Sequence, residues 1–285
     1  MTIKQLFTVL PQYVLPHHAL SVLMSKLTHC ENTLWKNLFI KTVIRLYGVN
    51  IAEAKYQNLD HYPSFNHFFT RELKEGVRPI APEADAIACP ADGAVSQAGS
   101  IENGRIFQAK GHSYSTLELL GGDAERAKDF ENGSFATIYL SPKDYHRMHM
   151  PLTGKLKEMT HVPGRLFSVN AATAEGIPNL FARNERVVCL FDTEAGPMAL
   201  ILVGAIFVSS VETTWHGIVT PPTISEPRTW RYDDNAPTLE KGAELGRFNM
   251  GSTIIMLFGK DKAIWDADLI AGAPVKLGQH IGRCF

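Results

Sequence analysis

Apolar positions along the first sixty residues recur at helical spacing, and beyond about Arg78 they close up into short runs separated by turn residues. After Pro16, the residues Leu20, Leu23, Met24 and Leu27 fall at i, i+3, i+4 and i+7, which predicts one apolar face on an amphipathic helix. In "TLWKNLFIKTVIRLYG", Trp35, Phe39, Val43 and Leu46 form a second stripe, with Lys36, Lys41 and Arg45 off it. Thr28 and Glu31 have capping-box spacing ahead of that helix, and Gly48 is a stop signal behind it. Asn50 and Glu53 suit the start of a third, short helix. Ser64 suits the cap of a fourth, with Phe65, Phe68 and Phe69 as its aromatic face.

The later segments read as strands: "FATIYLS", "GKLKEMTHV", "RVVCLFDT", "MALILVGAIFVSSVETTW", "GSTIIMLF" and "APVKLGQHIG". Residues 90–95 and 151–156 share a P-x-x-G-x-apolar pattern, the kind that turns the chain into a strand in lipoyl-like barrel-sandwich cores. Residues 195–211 carry no charge, but the stretch falls short of the ~20 apolar residues that cross a bilayer. Pro197, Gly204, Ser209 and Ser210 interrupt it, and it reads as buried strands. The layout is α+β: N-terminal amphipathic helices, then a mostly antiparallel β body with barrel-sandwich (lipoyl-like) features.

Charge sharpens the division. Residues 1–50 hold Lys4, Lys26, Lys36, Lys41 and Arg45 against Glu31 alone, although the whole chain carries a net charge of −1. The overall balance argues against a nucleic-acid partner. A basic, amphipathic front on an acidic body suits an anionic membrane surface as well as it suits packing on the protein's own core. The N-terminus has no signal-peptide pattern, because Pro11, Gln12, Pro16, His17 and His18 break its apolar run. The four cysteines are scattered and read as free thiols.

The densest polar cluster is "YLSPKDYHRMHMP", residues 139–151. His146 and His149 are three apart. Imidazole is the general acid and base of neutral pH and also a zinc ligand. Asp92, in "CPADGAV", is a turn residue by pattern, yet a carboxylate can orient an imidazole that activates a hydroxyl. The chain order then allows Asp92, His149 and Ser252 as a relay. A zinc-dependent hydrolase built on His146, His149 and Asp92, or a non-catalytic membrane-associated carrier, remains open at this point.

Taken in order, "FNHFFTREL" with "RPI" following, "PADGAV", "YLSPKDYHRMHMP", "PGRLFSVN", "VGAIFV" and "KGAELGRFNMGSTIIMLF" cover nearly the whole chain. Together they resemble the phosphatidylserine decarboxylases of bacterial type, proenzymes that make their own pyruvoyl group. One departure is Met250, where the bacterial form commonly has Leu before Gly-Ser-Thr; the two side chains are close in volume.

The resemblance implies self-cleavage between Gly251 and Ser252, with His149, oriented by Asp92, taking the proton of the Ser252 hydroxyl. The products would be a beta chain, 1–251, and an alpha chain, 252–285, that begins with the pyruvoyl group. Phosphatidylserine would then lose carbon dioxide through a Schiff base on that group, giving phosphatidylethanolamine, with His146 as proton donor. Tyr139 and Ser168 are candidates for contacting the substrate, and no metal is required. Residues 1–60 would be a helical membrane-associating region and 61–285 the catalytic β-rich domain. The resemblance also implies a peripheral protein on the cytoplasmic face of the bacterial inner membrane. Homo-oligomerisation stays open.

Overall fold

The computed structural model describes residues 3–233, 235–251 and 253–285, with side chains described from Phe7 onward. Ser252 therefore lies outside the described residues. Four helices lead the chain: α1 Ile3–Val14, α2 His17–Thr28, α3 Thr33–Tyr47 and α4 Phe65–Phe69, with 3-10 turns Ile51–Glu53 and Leu59–His61 before the last.

The sequence signals work at two of these ends and need correction at two. Gly48 closes α3 in the left-handed conformation, φ 70°, which a β-carbon would disfavour. Asn50 caps Ile51–Glu53 by accepting from the Ala52 amide. The cap of α3, however, is Asn32, whose side chain accepts from the Trp35 amide at 3.1 Å. Thr28 cannot fill that role because it still belongs to α2, where its hydroxyl donates to the Ser25 carbonyl. Ser64 precedes α4, but its hydroxyl meets the His67 ring rather than a backbone amide.

The helical stripes split between interior and solvent. On α3, Ile40 and Val43 are buried, whereas Leu34, Leu38 and Leu46 are exposed. Lys36 also turns inward, and its Nζ donates to the Leu59 carbonyl at 2.9 Å. On α2 the buried side chains are His17, Ser21 and Thr28, while Val22 and Leu23 face out. α1 docks on the β body: Val9 belongs to the main core and packs where Gly176 leaves room for it.

"TIIMLF" becomes the strand Thr253–Phe258, buried at all six positions. An apolar run with no alternation needs cover on both faces, and this strand is central. It pairs antiparallel with Ser134–Tyr139 on one side and Gly196–Val203 on the other, placing Thr253 beside both Tyr139 and Val203. The same nine-stranded sheet continues through Gly93–Ser100 on one flank and through Arg186–Thr193 and Gly154–Val162 on the other.

A four-stranded sheet runs Gly217–Thr220, Ser210–Thr213, Glu244–Asn249, Arg147–His149, and a three-stranded one contains the C-terminal His280–Cys284. All pairings between these strands are antiparallel. Among the described residues the sheets stay open rather than closing into a barrel, so the barrel-sandwich expectation holds as a layered sandwich. Both halves of the internal echo do enter strands, at Gly93 and Gly154. At Gly93 a β-carbon would come within 2.3 Å of the Tyr139 carbonyl oxygen, so the turn requires glycine.

A second, aromatic cluster sits between the helices and this body. It joins Ile40, Val43, Val49, Tyr62, Phe65, Phe68 and Phe69, with Phe39 stacked on Phe65 at 4.1 Å. Met250 packs against it from the β side.

Candidate active site

The site gathers where the strand Glu244–Asn249 hands over to Thr253–Phe258. The Asn249 carbonyl accepts both the Ser209 amide, at 2.7 Å, and the Ser209 hydroxyl, at 2.8 Å. Its side chain accepts from Asn66 of α4 at 2.9 Å and donates to the Ser210 hydroxyl. The chain then passes through Met250 at φ 78°, a left-handed conformation that a residue with a side chain adopts at some cost. Gly251 follows. The turn is thus pinned by a buried amide network on one side and by the Met250 side chain in the aromatic cluster on the other. Asn66, Ser209 and Asn249 escaped sequence reasoning, because amides and hydroxyls in "FNHFF" and "RFNMGS" carry no periodic signal.

Two histidines stand in this neighbourhood in different relations to Gly251. His146 is fully buried, and its ring lies 4.0 Å from that of Phe69. Its Nδ1 bonds the Asp144 carbonyl at 2.9 Å, which fixes the proton there and leaves Nε2 as a lone pair. That Nε2 has no hydrogen-bond partner among the described residues, and Gly251 lies directly before it. Burial pulls the His146 pKa down to about 3, so the ring is neutral. His149, at the end of its strand, bonds the Gly242 carbonyl through Nδ1 at 2.8 Å and turns Nε2 toward the Tyr145 hydroxyl at 3.4 Å. Burial lowers its pKa too, against the opposing pull of the Gly242 bond.

Asp92 is buried beside the same segment, and the His149 amide donates to Pro90, two residues before it. Its carboxylate meets Arg78 through two bonds, at 2.8 and 2.6 Å, and also accepts the Leu277 amide and Lys276. Burial alone would raise its pKa; the Arg78 pair and the Leu277 amide outweigh that and hold it below the usual carboxylate range. The orienting partner of His149 is thus a backbone carbonyl, while Asp92 acts on both histidines as a nearby fixed charge. Arg78 was legible only as the first letter of "RPI". The three candidate zinc ligands do not converge: among the described residues no group of three or more His, Cys, Asp or Glu is disposed to hold a metal ion.

Gly251 also forms part of the wall of an apolar cavity of about 410 Å³ between the helices and the β body. Phe39, Leu46 and Tyr47 of α3 and Phe207 of the body line it, and Tyr139 and Ser168 reach it as well. Tyr139 ends the strand beside Thr253. The Ser168 amide donates to Gln12 of α1, and its hydroxyl accepts from Asn170. No helix among the described residues is long and apolar enough to cross a membrane.

Comparison with known proteins identifies the family. The family model described as phosphatidylserine decarboxylase matches residues 65–283, and one described as PSD matches residues 7–48. Curated relatives named phosphatidylserine decarboxylase proenzyme occur in Pseudomonas fluorescens and Pseudomonas aeruginosa, each 58% identical over 282 residues, covering 98% of this chain and 97% of the relative. One in Ectopseudomonas mendocina is 58% identical over 283 residues, covering 98% of this chain and 99% of its own.

Proposed function

The chain belongs to the phosphatidylserine decarboxylase family of carboxy-lyases, and on that footing we propose that it cleaves itself between Gly251 and Ser252 and turns Ser252 into a pyruvoyl group. The observation that carries this reading is the buried Nε2 of His146, without a partner among the described residues, set against Gly251 at the wall of an apolar cavity. The residues present fit such a group: a basic nitrogen, a glycine that leaves its carbonyl open to attack, and an apolar route for a lipid.

In the cleavage, the Ser252 hydroxyl oxygen replaces the amide nitrogen on the Gly251 carbonyl carbon and gives an ester. Loss of the Ser252 α-proton expels the Gly251 carboxylate, and water then displaces the nitrogen as ammonia. His149 takes the hydroxyl proton, with its ring oriented by Gly242 and biased by the Asp92 charge. Arg78 keeps Asp92 ionised. A second reading rests on the contact with Gly251: His146, already neutral and facing the bond, is itself the base for cleavage.

The pyruvoyl group, once formed, supplies an electron sink for the pair released when carbon dioxide departs. The protein's own part is then to bind, orient and protonate. His146 delivers the proton to the reacting carbon. A substrate carboxylate enclosed beside it favours the imidazolium and so offsets the burial that keeps the ring neutral at rest. Tyr139 and Ser168 line the path of the head group, and the cavity takes the acyl chains.

Residues 1–60 act as the membrane-associating region and 61–285 as the catalytic domain. The protein works peripherally on an anionic cytoplasmic membrane face. The alpha and beta chains stay paired because Thr253–Phe258 is held on both edges. A mass spectrum of active protein tests the reading: it should show fragments 1–251 and 252–285, the smaller blocked by pyruvoyl. Full-length chain in active material would refute it.

A further inference from the structure

Behind the loop that carries His146 lies a second, polar recess of about 220 Å³, lined by Arg71, Asp92, Lys143, Tyr145 and Lys276 among others. Arg71, the arginine of "FTREL", is only 4% exposed. Its one hydrogen bond from the guanidinium runs from Nη2 to the Lys143 carbonyl, at 3.2 Å. Its Nε and Nη1 have no partner among the described residues, and no carboxylate lies within ion-pair distance of it. The carboxylates nearby are engaged elsewhere: Glu53 and Asp92 by Arg78, and Asp144 by the Ser141 amide and hydroxyl. Asp92, Glu53 and Asp144 act on Arg71 only at a distance, and the centre of the Phe68 ring lies 5.3 Å from its guanidinium carbon. A buried guanidinium with no direct ion pair is costly, and a planar fork with free N–H groups suits an oxyanion.

The recess adjoins the reacting centre. Arg71 and His146 bond to successive carbonyls of one loop, Lys143 and Asp144. Phe69, two residues before Arg71, packs on the His146 ring. Gly251 lines the apolar cavity, which also takes in Pro142 of that loop, and Arg71 lines the polar recess, which takes in Lys143, Asp144 and Tyr145. The α-carbon of the substrate's serine bears the reacting amine, the carboxylate and the arm that leads to phosphate and acyl chains. With that arm directed into the apolar cavity, the carboxylate is the group left to meet the recess.

Resting on the decarboxylase reading above, we propose that Arg71 binds the departing carboxylate of the lipid head group and so distinguishes substrate from product. The two lipids differ by that carboxylate alone. Arg71 pairs with it in the bound substrate and loses the partner when carbon dioxide leaves. The product then has no hold on the recess, which favours its release. The pairing is kept while the carbon–carbon bond stretches and is lost only with the departing carbon dioxide, so it is common to the ground and transition states and acts on KM with kcat little changed.

The test compares processed wild type, Arg71→Gln and Arg71→Lys in mixed micelles, after mass spectrometry confirms the 252–285 fragment in each. Arg71→Gln should raise KM for phosphatidylserine at least tenfold with kcat kept within about threefold, while inhibition by phosphatidylethanolamine stays unchanged. Arg71→Lys should recover part of the loss. Should Arg71→Gln fail to fold or cleave, wild type alone decides. Phosphatidylserine with its carboxylate esterified should then inhibit at least tenfold more weakly than the KM of the free acid. An unchanged KM, equal affinity for the ester, or parallel weakening of phosphatidylethanolamine would overturn the proposal, the last by making the phosphodiester the ligand. Absence of the pyruvoyl fragment in wild type would instead strike the underlying function.

Discussion

The Nε2 atom of His146 lies 3.3 Å from where a β-carbon on Gly251 would stand. The glycine is therefore needed for approach as well as for an unhindered carbonyl. Gly251→Ala must push the imidazole back by a few tenths of an ångström. Misplacements of about 1 Å near a reacting centre cost roughly a hundredfold, so a shift of this size should slow self-cleavage by about tenfold. Stability should change by less than ~1 kcal/mol, since the loop is half-buried and the contact is with one side chain. A time course on denaturing gels, paired with thermal melts, checks both. Cleavage at the wild-type rate would show that His146 does not crowd the bond in the reacting conformation.

The two histidines can be separated by what each variant leaves intact. Ser252→Ala should abolish cleavage and decarboxylation together, because it removes the source of the group that does the chemistry. His149→Ala should block or strongly slow cleavage. His146→Ala should still cleave but lose decarboxylation by two orders of magnitude or more, the usual worth of a positioned acid or base. The opposite pattern, with His146→Ala uncut and His149→Ala processed, would support the second reading, in which His146 alone serves both steps.

These roles show how unevenly the sequence discloses a site. Strands such as Gly154–Val162 and Arg186–Thr193 are legible to the residue, because apolar runs between turn signals have few other uses. Asp92, His146 and His149 are legible as chemistry-bearing letters. What surrounds them is not. Arg78 pairs with Asp92 across 14 residues, and Asn66 reaches Asn249 across 183. Such bonds depend on how sheets and helices stack, which periodicity does not encode. The α3 cap is hidden for a local reason: Asn32 and Thr28 both precede an apolar run, and only the end of α2 decides between them.

Met250 holds a left-handed backbone while its side chain packs into the aromatic cluster. Such a conformation costs a residue other than glycine roughly 1–2 kcal/mol. Met250→Gly should remove that cost and also lose packing of similar size, about 1 kcal/mol for a part-buried side chain. Net stability should stay within about 1 kcal/mol of wild type, yet cleavage should slow severalfold as the turn gains freedom. Met250→Leu keeps the anchor and should cleave normally. A Met250→Gly protein that cleaves as fast as wild type would show that the amide network alone positions the bond.

The His17 ring is buried against Phe167, and neither ring nitrogen has a partner among the described residues. Burial, with the Arg165 and His18 charges, lowers its pKa to about 4. The folded value is below the ordinary 6.5, so the folded state binds fewer protons. Its contribution to stability is complete above about pH 6.5 and is lost as pH falls toward 4. His17→Phe should therefore flatten the decline in melting temperature between pH 6.5 and 4. Part of the slope should remain, because His146 is also held neutral and titrates lower still. Identical pH profiles for the two proteins would mean that α2 does not keep His17 buried.

The apolar residues that α3 leaves outside reach the apolar cavity through Leu46. Leu34 is 84% exposed, Leu38 63% and Leu46 69%, and Leu46 also lines the cavity. Phe207 approaches from the β body and shares both features. Lys41 and Arg45 are exposed on the same helix, placed to meet anionic head groups. A helix with this surface gains by lying in the membrane interface, where the exposed leucines leave water. Burying one leucine is worth about 1.5–3 kcal/mol, so Leu38→Glu should weaken binding to anionic vesicles by about tenfold or more. Self-cleavage should be unaffected, because Leu38 touches neither the amide network nor the aromatic cluster. Activity on bilayers should fall in step with binding, while activity on a short-chain, water-soluble substrate should hold. Equal losses on both substrates would show that Leu38 acts through the fold and not through the membrane.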